Sequence, residues 1–325
     1  MKSGPRVITL RNGRLTCPQV SLNNPVNPES SRLVVGQGAE LDAPVTVGNN
    51  EKGELHIESG GQWTSRASAI YIGRIGLSAE GVVRVTGKES SWKALGQSEK
   101  TNSLVGVGAS GTGALEISQG GKMMAFVVQL AGHQAHLETP TGEGRGRIVV
   151  ENSDSEMDCA FLYVGGGLDT VKDTDAIAGG AGTVEIADGG SVKCGLLRVF
   201  PHSTLSFRGG SLEQTGHFQE TATSDRSLLE PSSVLHFVLD KPGGPAPFSA
   251  TNLKIDGALL DIELAEGFSP RPGQEFPLIS ASGALDVNFA KIRNGEKIRV
   301  GGHTFAIDFG PQGAGPILLK SAQAE

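Results

Sequence analysis

The side chains of this chain that could do chemistry are few and scattered. His133-x-x-His136 with Glu138 has the residue types of a zinc site, but not the H-E-x-x-H order or the helix that would aim both imidazoles at one ion. Pro140 and the glycines around it mark the segment as a solvated insertion loop. Two acidic stretches, Asp154-Ser-Glu156-Met-Asp158 and Asp169-Thr-Val-Lys-Asp173-Thr-Asp175, offer oxygens of the kind calcium accepts. Neither has EF-hand or nonapeptide spacing, so charged loops are the expectation and Ca2+ the minor alternative. Gly106, Gly108 and Gly111 spell G-x-G-x-x-G, which cradles a pyrophosphate only where it opens a helix. A strand pattern, Gly113-Ala-Leu-Glu-Ile117, follows instead, so these read as corner glycines. Cys17, Cys159 and Cys194 are too few for a disulfide scaffold and too dispersed for zinc.

What must position any such residue is a repeat. Glycine makes up 47 of the 325 residues, about twice the usual share of roughly 7%. Two apolar residues two apart, then a small-residue pair, recur as Leu55-x-Ile57 with Gly60-Gly61, Val83-x-Val85 with Ser90-Ser91, and Leu115-x-Ile117 with Gly120-Gly121. Ile148-x-Val150 with Ser153-Asp154, Val184-x-Ile186 with Gly189-Gly190 and Leu205-x-Phe207 with Gly209-Gly210 continue the series. Ile8-x-Leu10 with Gly13 is a fainter first copy. A second pattern interleaves: Val45-Thr-Val47-Gly48, Ile70-Tyr-Ile72-Gly73, Val105-Gly-Val107-Gly108 and Leu162-Tyr-Val164-Gly165.

Apolar residues at i, i+2 give a strand with one buried face. Strands this short cannot bury a core in a hairpin, but stacked at about 4.8 Å they build a continuous apolar column, with glycine supplying positive φ at the corners. No stretch holds a helical apolar period. The expectation is an all-β, right-handed parallel β-helix (a solenoid), with Leu55, Val83, Leu115, Ile148 and Val184 in one interior column. A β-sandwich of short strands is the competitor.

Parity then sorts the remaining candidates. Thr46, His56, Tyr71, Arg84, Glu116, Val149, Glu185 and Ser206 point outward and place no two carboxylates on adjacent copies, as a polysaccharide lyase or hydrolase would want. Trp63 and Trp92 share their place with Met123 and Val192, which makes them core rather than a sugar platform. Cys159 and Cys194 precede aligned strands, so they are expected side by side on adjacent coils as free thiols.

The run Ile70-Tyr-Ile-Gly73, Gly81-Val-Val-Arg-Val-Thr-Gly87, Ser90-Ser-Trp92, Val105-Gly-Val-Gly108, Gly113-Ala-Leu-Glu-Ile117, Gly120-Gly121 resembles the repeat of autotransporter passengers and PEP-CTERM-associated proteins. The resemblance is good over roughly 45–125 and degraded over 126–215. It implies a secreted or surface-displayed bacterial protein with a right-handed parallel β-helix, and it implies no reaction. Members carry a signal peptide and a C-terminal barrel or sorting tail. The opening Met-Lys-Ser-Gly-Pro-Arg has no apolar core and is not expected to be a signal peptide.

After Leu212 the glycine punctuation stops, and 216–233 reads as a polar connector. From 234 to 325 a second β pattern, with Asn294-Gly295 and Gly301-Gly302 as hairpin turns, reads as a mostly antiparallel region that caps the helix of residues 1–215. A net charge of −7 spread along the chain argues against a nucleic-acid partner, and no apolar run is long enough for a membrane helix. The expectation is an extracellular structural or adhesive scaffold without catalytic, cofactor or metal residues. Its partners would be copies of itself or a cell-surface polysaccharide. A filament subunit and a carbohydrate-active enzyme are the alternatives.

Overall fold

The computed structural model describes residues 7–22, 31–74, 76, 78–96, 103–132, 144–168, 176–216, 227–310 and 316–322. Among them every regular element is a β-strand, and all but one hairpin join a single, mostly parallel sheet of solenoid-like form. The hairpin is Gly166–Leu168 with Ala176–Ala178.

The winding follows from three apolar columns, one per face. On the first face Ile8, Leu33, Leu55, Val83, Leu115, Ile148, Val184, Leu205, Leu235 and Leu260 lie in register, each on its own coil. The second face stacks Leu15, Leu41, Trp63, Trp92, Met123, Met157, Val192, Leu212, Phe248 and Ile279. The third stacks Leu22, Val47, Ile72, Val107, Leu130, Val164, Val199, Leu229, Ile255 and Val287. The five residues expected in one interior column are all there, each fully buried. Removing such a side chain from water stabilises by roughly 1.5–3 kcal/mol, and every coil repeats the gain three times.

Two kinds of corner turn the chain. Between the first and second faces, Ser59-Gly60 and Gln119-Gly120 take positive φ, and buried serine hydroxyls of the next coil accept the glycine N–H: Gly60 N to Ser90 Oγ 3.1 Å, Gly120 N to Ser155 Oγ 3.0 Å. Between the third face and the next coil, two glycine ladders press together. Gly53, Gly81, Gly113, Gly146 and Gly182 stack in register against Gly48, Gly73, Gly108 and Gly165. Gly73 and Gly108 donate N–H to the carbonyls of Val47 (2.9 Å) and Ile72 (2.7 Å) one coil earlier, while the backbone of Thr112 and of Arg145 on the following coil leaves no room for a Cβ on either.

The region from residue 234 departs from expectation. Val234–Leu239 pairs in parallel with Thr204–Arg208 and with Leu259–Leu264, and Leu253–Asp256 pairs in parallel with Leu285–Asn288. Parallel coils therefore run on to residue 288, and Ser227–Leu229, inside the expected connector, is a third-face strand. The cause is that the apolar columns continue while the corners change chemistry, from Gly-Gly to segments such as Lys241-Pro-Gly-Gly-Pro-Ala-Pro247. Among the described residues from 234 onward, antiparallel pairing is confined to Lys297–Val300, His303–Asp308, Ile317–Ser321 and the 275–279 part of Glu275–Ala281. There Gly301-Gly302 does form the two-residue hairpin turn, whereas Asn294-Gly295 turns without a strand before it. Phe305, Ile307, Ile317 and Leu319 are fully buried and join the main core, and the Phe305 ring meets Phe276 at 5.9 Å. These strands close the last coil.

Candidate functional site

The outward row of the first face is where reactive side chains gather. Val34, His56, Arg84, Glu116, Val149, Glu185, Ser206, His236 and Asp261 follow one another at one residue per coil. Stacking at about 4.8 Å makes neighbours of residues some 30 positions apart in sequence. Thr46 and Tyr71 belong instead to the third face.

Near its start the row forms an ion network. Arg32 Nε donates to Glu54 Oε2 (2.8 Å), and Arg84 Nε donates to Glu116 Oε2 (2.7 Å). Arg84 Nη1 and Glu54 Oε2 both approach His56 Nε2, at 3.0 and 3.1 Å. One nitrogen cannot accept from the first and donate to the second. Burial lowers the His56 pKa, and the charges of Arg84 and Arg32 lower it further, so the ring is neutral and Nε2 accepts from Arg84. Glu54 is meanwhile satisfied by Arg32. Farther along, Arg147 Nη2 binds Glu185 Oε2 at 2.8 Å, and Arg208 lies 3.6 Å from both Glu185 and Asp188. Glu116 and Glu185 are thus each paired with arginine, and Val149 stands between them in the row.

At the far end Ser206 Oγ lies 2.9 Å from His236 Nδ1. His236 Nε2 lies 3.5 Å from Glu263 and 4.0 Å from Asp261. Hydroxyl, imidazole and carboxylate stand in the order nucleophilic catalysis uses, on three consecutive coils. They occupy a flat strand face, and both carboxylates are 67% exposed. Ser206 lies within the glycine-punctuated repeat and His236 beyond it, on Val234–Leu239, where the Leu235-x-Phe237 spacing is the sequence signal that places it on the same face.

A cavity of about 220 Å³ opens elsewhere, at a first-to-second-face corner beneath residues 240–247. Phe207, Phe237, Leu239, Phe276 and Leu278 form its apolar floor, with Ser211, Asp240 and Lys241 as polar members. It could hold a small apolar group. None of the residues of the Ser206–His236 cluster lines it.

No family model, curated protein or solved structure matches this chain.

The other candidates resolve individually. His133, His136 and Glu138 lie outside the described residues, as do Asp169, Asp173 and Asp175. In the first acidic stretch, Asp154 turns a corner at φ 69°, and Glu156 sits between Lys122 and Lys193, 3.5 Å from each. Among the described residues no three metal-ligating side chains converge. Of the expected corner glycines, Gly108 turns a corner, but Gly106 is within a strand, where the Tyr71 ring lies against it and leaves no room for Cβ. Trp63 and Trp92 are core residues, stacked at 4.3 Å.

Cys159 and Cys194 are in register on adjacent coils, as expected, and both are buried free thiols. Burial raises both pKa values, that of Cys194 to about 12 from an ordinary 9.0. Between about pH 9 and 12 the unfolded chain has lost protons that the folded thiols keep. The unfolded state then binds fewer protons, so stability falls as pH rises through that window and is unaffected below it. The expected urea midpoint is lower at pH 10 than at pH 8, reflecting a loss on the order of 1 kcal/mol of stability. Tyr163, raised to about 12 chiefly by burial, acts in the same direction above pH 10. Replacing both cysteines by alanine should flatten the slope, and an unchanged slope would remove this account.

Proposed function

We propose that this protein is an extracellular or cell-surface structural scaffold, a right-handed parallel β-helix that works by contact with copies of itself or with a surface polysaccharide. Right-handed winding is the hand that parallel strand connections take almost without exception. The observation that carries the functional reading is how the outward charges are used. Arg32 with Glu54, Arg84 with Glu116, Arg147 with Glu185 and Arg198 with Glu230 pair from coil to coil across the rod, instead of converging on a cleft. Such a surface is flat, long and locally neutralised, which suits broad contact more than turnover. The resemblance of the repeat to autotransporter and PEP-CTERM-associated proteins points the same way and is the reason for proposing an extracellular or surface location.

Co-sedimentation of the chain with insoluble cell-wall polysaccharides, beside its mass in solution, tests this. Retention on a polysaccharide or a defined oligomer is expected, with no soluble product released. A second reading has one observation behind it, the Ser206–His236–Glu263 order, and would make the protein a hydrolase of esters on such a polymer. Acetate release from an acetylated polysaccharide, abolished by Ser206→Ala and by His236→Ala, would replace the scaffold reading with that one.

A further inference from the structure

The two ends of the rod differ. At the C-terminal end the last coil lies under antiparallel strands whose Phe305, Ile307, Ile317 and Leu319 are fully buried. At the other end, Val7–Thr16 pairs only with Ser31–Asp42, and Val20–Leu22 only with Val45–Val47. The outer backbone edge of Val7–Thr16 has no strand partner among the described residues. Its side chains show the consequence. Ile8 is 59% exposed and Leu15 37%, yet Leu33 and Leu41, the next members of their columns, are 3% and 0% exposed. With Val7 at 54%, three of the four large apolar side chains exposed among the described residues stand at this one edge. Columns that are buried through the middle coils end here in water, next to unpaired N–H and C=O groups, and such an edge recruits another strand.

We propose that this edge pairs with the same edge of a second copy, giving a closed head-to-head dimer. The inference rests on reading the chain as a scaffold that works by contact, and it names the contact. The outer edges of Leu259–Leu264 and Leu285–Asn288 also have no ladder partner among the described residues. The antiparallel strands, however, pack over the core of that coil and head-to-tail stacking would have to displace them, which leaves the self-complementary arrangement about a two-fold axis. The sequence of the edge strand fits that symmetry. If Thr9 faces Thr9 of the second copy, antiparallel pairing sets Ile8 against the second copy's Leu10, and both apolar rows continue inward. Arg11 then faces the second copy's Val7, so no like charges oppose. Arg14 is already neutralised within its own chain by Asp42 and Glu40. The same axis exchanges the second and third faces, bringing Leu15 over the second copy's Val20. Segments 1–6 and 23–30 each contain a single large apolar residue, Met1 and Val26, so neither supplies the alternating row this edge requires.

The test is the mass of the full chain by light scattering, read beside two variants. The parent should have twice the mass of one chain, at a value that stays constant as concentration rises. Ile8→Lys/Leu15→Lys should be monomeric with an intact circular dichroism spectrum, because both positions already face water in the single chain. In a Cys17→Ser background, Thr9→Cys should cross-link to a dimer under mild oxidation, since residues directly opposite across an antiparallel pair have Cα atoms about 4.5–5.5 Å apart. A monomeric parent, a mass that grows with concentration, a dimer indifferent to the two lysines, or a Thr9→Cys protein that does not cross-link would each overturn the proposal. Polysaccharide retention by a monomeric parent would leave the scaffold reading standing without it.

Discussion

Gly113→Ala is expected to destabilise the fold by about 3–5 kcal/mol, although it adds one methyl group. The added Cβ would fall within contact range of Gly108 N and Ile72 O, both backbone atoms, neither of which can rotate away. Gly113 stacks between Gly81 and Gly146, so any backbone shift that relieved the clash would be passed to the coils on either side. No positive φ is involved at this position, so the loss would be steric rather than torsional. It also runs against the usual Gly→Ala gain of about 0.4–1 kcal/mol from a stiffer unfolded chain. The melting temperature should drop by about 4–7 °C for a chain of this length. Gly244→Asn makes the control. That glycine is at φ 84° with open space around it, and asparagine tolerates the conformation, so a change within about 1 kcal/mol is expected. Equal losses at the two positions would show that close approach is not what the glycine ladder provides.

That ladder is also why most of the fold was legible. Where a corner needs glycine and a face needs alternating Val, Leu and Ile, the requirement is written in the chain at fixed offsets, and the columns through Leu55 and Leu115 could be aligned without coordinates. After Gly210 the two signals separate. Leu235-x-Phe237 and Leu260-x-Ile262 continue the first-face columns, but the corners between them are Pro-rich or built on Ser232 and Gly257, and punctuation no longer marks the coil. The hairpin at Gly301-Gly302 was correctly signalled, and extending its antiparallel sense upstream to residue 234 was the error. Candidate chemistry was less legible for a related reason. Parity says that His56 or Ser206 points outward, but which residue lies beside it depends on the length of every intervening loop. The pairing of Ser206 with His236 spans a stretch of sequence that shows no coil at all. Buried polar partners are hidden in the same way. Gln214 stands in the small-residue column between Cys194 and Ala250, where its Oε1 accepts from Thr251 N at 3.0 Å, and nothing local to Gln214 announces it.

Trp63 and Trp92 should divide sharply by substitution. The rings stack at 4.3 Å with planes 11° apart, both fully buried, so either change to alanine removes about 3–5 kcal/mol through lost packing and a cavity that the stacked coils cannot close. Substitution by phenylalanine separates them. Trp63 Nε1 donates to Ala43 O at 2.8 Å, while Trp92 Nε1 is buried with no hydrogen-bond partner among the described residues. Trp63→Phe leaves a buried carbonyl short of its donor and should lose about 1–3 kcal/mol beyond the change in volume. Trp92→Phe removes an unsatisfied polar group along with part of a ring, and the two effects oppose, so its net loss should be the smaller by at least about 1 kcal/mol. Urea midpoints for the four variants measure the difference. Because the chain has only these two tryptophans, near-ultraviolet circular dichroism gives a second reading: a coupled signal from the stacked pair that either single substitution abolishes. If Trp92→Phe proved as damaging as Trp63→Phe, the Ala43 hydrogen bond would not be what distinguishes the two rungs. If the coupled signal survived either change, the rings would not be stacked in solution, and the second-face column would have to be drawn differently.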